Sequence, residues 1–518
     1  MSASGSDGLD SPVDEEDFMM DDDEEGSVVD YDDGSSVDEG DDGFGGVAQT
    51  IDKGEGPSWQ VDFKILSIQD IERAQSEIAE SVASILAIKP TEASILLRQW
   101  GWNKDKLIER YMESPEKCNI EAGLEVGRQP RPKRIRGFVC EICYDDDSSK
   151  ETIALSCNHR FCRDCYACYL ISKINEGESK RIQCMQSSCK TAVDENTVAL
   201  LVDAQNAERY KRLLNRSYVE ESSSLRWCPA PNCEYAIECH VPSKVLDTVV
   251  PSVTCRCGNR FCFGCGRDED HQPCCCPLIK RWLKKCEDDS ETCNWLAVNT
   301  KECTKCQATI EKNGGCNHMT CKKCRHEFCW VCMGDWTLHG TSWYNCSRFQ
   351  EKDDTTKDAV SKNRQSLERY LHYFNRFNNH EQSAKLEKEV YARIERKMEE
   401  MQKTTSLTWI EVQFLKQAVD TLSECRMTLK WSYAMAFYLA RNNITHIFED
   451  LQSDLERAVE ELSELLEKPI EPQTIPELRQ KTTDKTVYVK KRHEIMLDDT
   501  AKGSAEGRWS YQVDLNLK

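Results

Sequence analysis

The chain has 518 residues, 30 of them cysteine, and a net charge of −22. Its length allows several domains. The charge is local: residues 1–56 contribute −19, so the rest is nearly balanced and lacks the positive field that would make nucleic acid a partner. No apolar run is long enough to cross a bilayer and no apolar leader opens the chain, so the expected setting is cytoplasmic, or also nuclear, with no membrane partner. Thiols stay reduced there, and clustered cysteines read as metal ligands rather than disulfides.

Residues 1–60 are rich in Asp, Glu, Gly and Ser and poor in large apolar groups. Such a tail cannot offset its ordering entropy by burial and is expected to be disordered. Residues 61–120 change character. Ile71, Ala74, Ile78, Val82, Ile85 and Leu86 recur at helical spacing until Pro90. Ile95, Leu96 and Leu97 follow up to Gly101, and Asn103 can cap a third helix carrying Leu107, Ile108 and Tyr111. Three short helices predict a small bundle similar in size to ubiquitin-associated (UBA) domains. The basic stretch "RQPRPKRIR" at 128–136 reads as a linker.

All cysteines but Cys118 and Cys425 lie between Cys140 and Cys346. Zinc takes four Cys or His ligands in a tetrahedron. The first block, over 136–195, offers Cys140, Cys143, Cys157, His159, Cys162, Cys165, Cys184 and Cys189. This order resembles the RING pattern. In a RING the pairs interleave, so Cys140, Cys143, Cys162 and Cys165 share one ion, and Cys157, His159, Cys184 and Cys189 the other. The second block, over 208–277, assigns Cys228, Cys233, Cys255 and Cys257 to one ion and Cys262, Cys265 and His271 to the next. The last ligand there is Cys274, Cys275 or Cys276, with Cys276 preferred. In the third block, over 298–348, Cys303, Cys306, Cys321 and Cys324 suit one ion and Cys329, Cys332, His339 and Cys346 another. Six ions are thus expected, two per module. Cys316, in "EKNGGCNHMTC", is spare unless it replaces Cys321 or Cys324. Residues 349–518 predict an all-α domain: no Pro lies between Pro277 and Pro469, and apolar residues recur at helical steps from Leu367 to Leu465. The stretch "TVYVKKRHEIML" fits either a helix or a strand.

The fold class expected is multidomain, with small zinc-stabilised α+β modules flanked by an N-terminal UBA-like bundle and a C-terminal all-α domain. Block order and the motifs "WCPAPNC", "TKECTKC", "EKNGGCNHMTC", "FCWVCMGDW" and "WIEVQFLKQAVD" resemble the Ariadne subfamily of RING-between-RING ubiquitin ligases, over roughly 65–470. The resemblance implies a RING, an in-between-RING (IBR) module and a catalytic second RING. It implies that a ubiquitin-charged conjugating enzyme docks on the first RING, through Ile142 among others, and hands ubiquitin to Cys316 as a thioester for delivery to substrate lysines. A thiolate is the competent nucleophile for that step. Gly314 and Gly315 give it a permissive backbone, and His318 can serve as general base toward the incoming amine. The resemblance also places Leu386 and Glu387 of "KLEKEVYARI", with Glu460, at an inhibitory contact made by the helical domain. It makes activated cullin–RING complexes carrying a ubiquitin-like modifier the partners of the N-terminal bundle. In one respect the sequence departs from the family. Lys190 follows the last ligand of the first RING, where members usually lack a basic residue, which keeps direct RING-type transfer open as a second reading.

Overall fold

The computed structural model describes residues 57–124, 130–178, 180–242, 245–246, 248–288, 300–312, 314–339, 344–350, 359–404, 413–467 and 475–513. The acidic tail expected over 1–60 falls outside these residues except for its last four. Those four are held in place: Ser58 Oγ donates to Asp498, and the Trp59 carbonyl accepts from Gln272 Nε2 at 2.9 Å. Next comes β1 (Phe63–Leu66), which read as part of the helical bundle. It pairs antiparallel with the IBR strand β5 (Ala236–Cys239), with Phe63 opposite Cys239 and Leu66 opposite Ala236. The strand covers a sheet edge that would otherwise leave its N–H and C=O groups unpaired. Val61 and Phe63 pack against the IBR core of Ile237, Val253 and Phe261.

The N-terminal bundle has four helices. Ser67 and Asp70 form a capping box at the start of α1 (Ile68–Leu86). Pro90 is the first residue of α2 (Pro90–Gln99), where its missing N–H costs nothing. Asn103 accepts from Lys106 N at 3.0 Å to cap α3 (Lys104–Glu113). The fourth helix, α4 (Pro115–Ala122), was not expected, because its two buried residues, Cys118 and Ala122, are too few to set a readable period. Gly123 ends it in a left-handed conformation, φ 71°. A Cβ at Gly123 would lie 2.1 Å from the Lys190 carbonyl oxygen, so the glycine lets the bundle dock on the first zinc module.

The zinc modules repeat one device. A three-residue hairpin places a buried Phe at its centre and a ligand cysteine at its end. In the first, β2 (Thr152–Ala154) pairs with β3 (Arg160–Cys162), followed by α5 (Arg163–Asn175), α6 (Glu195–Leu201) and α7 (Ala204–Glu221). In the second, β4 (Leu225–Trp227) joins β5 and β1 in a sheet, and β6 (Ser252–Thr254) pairs with β7 (Arg260–Cys262). In the third, β8 (Thr300–Glu302) pairs with β9 (Thr309–Glu311), and β10 (His318–Thr320) with β11 (Glu327–Cys329). Phe161, Phe261 and Phe328 are the buried centres. The third module's apolar cluster is small, Met319, Phe328 and Trp330, so metal must hold it.

Between the second and third modules runs α8 (Cys276–Asp288), which packs with the C-terminal helices. Trp282 is fully buried there, its ring centroid 5.5 Å from Phe377 and 5.4 Å from Phe437. Two short helices, α9 (Trp336–His339) and α10 (Tyr344–Ser347), close the third module. The C-terminal domain consists of α11 (Ala359–Thr404), α12 (Gln413–Tyr438), α13 (Asn443–Glu467) and α14 (Ile475–Ala505). The stretch "TVYVKKRHEIML" is helical, within α14, with Val489, His493 and Met496 buried on one face.

Candidate active site

The described ligands gather as four-residue sets. Cys140, Cys143, Cys162 and Cys165 converge, as do Cys157, His159, Cys184 and Cys189. So do Cys228, Cys233, Cys255 and Cys257; Cys262, Cys265, His271 and Cys276; and Cys303, Cys306, Cys321 and Cys324. A tetrahedral zinc with bonds of about 2.3 Å puts its sulfurs about 3.8 Å apart. The sulfur pairs Cys143–Cys162, Cys233–Cys255, Cys262–Cys276 and Cys303–Cys324 stand at 3.7, 3.6, 3.7 and 3.6 Å. The donor sets therefore fit zinc. Of the three candidates in the IBR, Cys276 joins the set while Cys274 and Cys275 are buried in the helical core. His271 Nδ1 lies 2.7 Å from the Cys274 carbonyl oxygen, which orients the ring with Nε2 toward the sulfurs of Cys265 and Cys276. In the third module Cys346 lies against Cys329 and Cys332, and the side chain of His339 falls outside the described residues.

Cys316 belongs to none of these five sets. It sits on the turn before β10, 3% exposed, with its Sγ accepting from the main-chain N–H of His318 at 3.3 Å. The C-terminal domain covers it. Cys316 N donates to Glu467 Oε1 at 3.0 Å. Asn317 N donates to Glu460 Oε2 at 2.6 Å, and Asn317 Nδ2 to Glu460 Oε1 at 2.8 Å. Arg426, fully buried on α12, donates to the Gly315 carbonyl at 3.1 Å, to Glu387 at 3.0 Å and to Glu460. Buried Lys312 donates to Asn317 Oδ1 at 3.0 Å and to Asn379 and Ser383 of α11 at 2.9 and 2.7 Å. Burial, reinforced by the carboxylate of Glu460, pushes the Cys316 thiol well above the ordinary range. Burial also lowers Lys312 to about 8.

Three features define the surroundings of the expected residues. Neither Gly314 nor Gly315 has a left-handed backbone. They are glycines because a Cβ would lie 2.6 Å from Glu467 Oε1 at Gly314 and 2.3 Å from Glu387 Cγ at Gly315. The His318 imidazole makes no hydrogen bond to the Cys316 thiol. It stacks on Trp336, centroids 4.1 Å apart, with Nε2 3.4 Å from Glu327 Oε2. Leu386 is half-buried next to Glu387 on α11.

Comparison with known proteins gives this geometry its family. A model described as the UBA-like domain of E3 ubiquitin-protein ligase ARIH1 matches residues 73–113, and an Ariadne domain matches 368–489. IBR domain models match 208–276 and 298–344. The chain is 52% identical over 468 residues to E3 ubiquitin-protein ligase dbl4 of Schizosaccharomyces pombe, covering 90% of this chain and 92% of that one. It is 44% identical over 462 residues to E3 ubiquitin-protein ligase ariadne-1 of Drosophila melanogaster, covering 87% and 90%. Against E3 ubiquitin-protein ligase ARIH1 of Homo sapiens it is 41% identical over 465 residues, covering 87% and 82%. The chain belongs to the Ariadne family of RING-between-RING E3 ubiquitin ligases.

As an Ariadne ligase it works with a conjugating enzyme, ubiquitin and a protein substrate. Ile142, between the first two ligands of the first RING, is 52% exposed beside exposed Val139 and Tyr144. Lys190 is exposed, and its carbonyl accepts from Arg181 Nη2 at 3.0 Å. Sequence reading missed Glu467, Arg426 and Lys312. Arg426 did leave a signal, as it falls on the stripe Leu422, Cys425, Leu429 of α12, where a charge must be buried. On α13 the polar residues Glu449, Ser453, Glu456, Glu460, Ser463 and Glu467 recur every three or four positions, beside the apolar stripe of Leu455, Val459 and Leu462. Lys312 left no signal.

Proposed function

We propose that this ligase accepts ubiquitin from its conjugating enzyme as a thioester on Cys316, transfers it to substrate lysines, and is held inactive by its own helical domain. One observation carries the reading: the five zinc sets named above close without Cys316, and its loop is the one to which α11, α12 and α13 bring carboxylates and a guanidinium. A cysteine that is not needed as a ligand, yet is covered by a separate domain, is one whose access is controlled. The first RING presents an open apolar surface around Ile142 for the conjugating enzyme. The N-terminal bundle leaves Met112 and Ile120 exposed, 64% and 70%, as a surface for the ubiquitin-like modifier of an activated cullin complex. Docking there would release Cys316 by favouring the open state, which requires different contacts in the two states.

The experiment replaces Cys316 with serine in the full chain, alongside Glu460→Ala and Glu467→Ala to uncover the loop. Charged conjugating enzyme should leave a ubiquitin ester on the serine that hydroxide cleaves, and a reducible thioester on the cysteine form. Substrate ubiquitylation that survives Cys316→Ala undiminished would sink the reading and favour direct transfer from the first RING, with Lys190 as the activating residue.

A further inference from the structure

The groups that the helical domain holds on the Cys316 loop are backbone and amide donors, and anions hold them. Cys316 N, Asn317 N and Asn317 Nδ2 all point at carboxylate oxygens, at 3.0, 2.6 and 2.8 Å. We propose that these three donors form the oxyanion hole of the transfer reaction, and that Glu467 and Glu460 silence the ligase by filling it. This rests on the reading of Cys316 as the ubiquitin acceptor.

An oxyanion hole needs hydrogen-bond donors fixed about 2.7–3.1 Å from the developing charge, beside the nucleophile. The loop holds its donors at 2.6 and 2.8 Å from the two oxygens of Glu460 and at 3.0 Å from one of Glu467, close to that range, and a carboxylate is a planar, anionic stand-in for the reacting carbonyl. The sulfur is held to the same turn by His318 N at 3.3 Å. Asn317 is fixed in one orientation. Its Oδ1 accepts from the Lys312 ammonium at 3.0 Å, so Nδ2 is the end that faces Glu460. Lys312 is thus a positioning residue for the amide donor.

The chemistry balances without a further reactant. The Cys316 thiolate forms a bond to the thioester carbonyl carbon, and the carbonyl π pair moves to oxygen, where the three donors receive it. The pair then returns, and the bond to the conjugating enzyme's cysteine breaks with that sulfur leaving as thiolate. In the second step a lysine amine attacks the new thioester. Its proton passes to His318, and Cys316 leaves as thiolate. The same donors receive the charge both times.

The test uses the full chain with Glu460→Ala and Glu467→Ala, which leaves the Arg426–Glu387 pair in place, with and without Asn317→Ala. Two rates are measured at Cys316: single-turnover transfer from charged conjugating enzyme, and alkylation by iodoacetamide. Alkylation is displacement at a saturated carbon and develops no oxyanion. Asn317→Ala should slow ubiquitin transfer about 10²-fold and leave alkylation within about two-fold. Asn317→Asp, of equal size but with an anionic acceptor in place of the donor, should slow transfer further. Unchanged transfer would overturn the proposal, and so would equal losses in both rates, which would mean that the turn itself had shifted. A parent that alkylates normally but forms no ubiquitin thioester would fail differently, by removing the acceptor role of Cys316.

Discussion

Glu460 grips Asn317 through both carboxylate oxygens, at 2.6 Å from the main-chain nitrogen and 2.8 Å from Nδ2. The same carboxylate is ion-paired with Arg426, which also holds Glu387 and the Gly315 carbonyl. One buried cluster thus ties three helices of the C-terminal domain to the loop that carries Cys316. Glu387 is further fixed by Ser463 Oγ at 2.9 Å, so the acidic groups are set in place by their own domain before they meet the loop.

Removing that contact should change the reactivity of Cys316 and its dependence on pH. Burial and then the Glu460 charge disfavour the thiolate and hold the thiol above its ordinary value. In the intact protein, alkylation should therefore keep rising with pH beyond 9.0, the ordinary value for an unshifted thiol. With Glu460→Ala and Glu467→Ala the thiol falls toward its ordinary range. The rate should level off at lower pH and, at about pH 8, exceed that of the intact protein by about ten-fold or more. Coincident pH profiles would count against the cover.

Arg426 is fully buried between two carboxylates, and neither can be left alone cheaply. Arg426→Met should destabilise the helical domain by about 3–5 kcal/mol, because Glu387 and Glu460 lose their compensating charge. Urea denaturation of the two proteins checks the figure. Arg426→Lys should recover only part of it, since an ammonium cannot reach both carboxylates and the Gly315 carbonyl with the geometry of a guanidinium.

Gly315→Ala separates docking from folding. The backbone there suits any residue, so the third zinc module should fold and keep its metal. The added Cβ would press on Glu387, 2.3 Å from its Cγ, and should loosen the domain contact. Zinc content measured by a chromogenic chelator should match that of the intact protein, while Cys316 alkylates faster. A slow alkylation rate equal to that of the unaltered chain would show that Glu387 moves aside at little cost.

Zinc removal should reach beyond the zinc modules. Each structural ion accounts for an apparent folding free energy on the order of 10–16 kcal/mol. Were the zinc modules energetically separate, chelation would unfold 138–348 and leave the flanking helices largely intact. The helical core, however, includes Cys274, Cys275, Leu278, Ile279 and Trp282, which come from the end of the IBR and from α8. Chelation should therefore lower the thermal midpoint of the remaining helical transition, followed by circular dichroism. Trp282→Ala should do the same in the metal-loaded protein, at a cost of about 3–5 kcal/mol for a buried tryptophan.

The sequence by itself determined the metal framework and the spare cysteine. Zinc ligation is encoded in short spacings, so Cys303, Cys306, Cys321 and Cys324 can be counted without coordinates, and Cys316 stands out by being left over. It also determined the helical character of both flanks, since apolar period is a local property. Tertiary structure decided what local pattern cannot carry. Cys274, Cys275 and Cys276 are equivalent in a string, and only the packing of α8 sends two of them into the helical core. Phe63–Leu66 became a strand because β5 offered it an edge 170 residues downstream. The cover on Cys316 joins residues 151 and 143 positions apart, and Lys312 meets Asn379 across 67. Contacts of that kind depend on where whole domains dock, and no spacing rule in the chain records them.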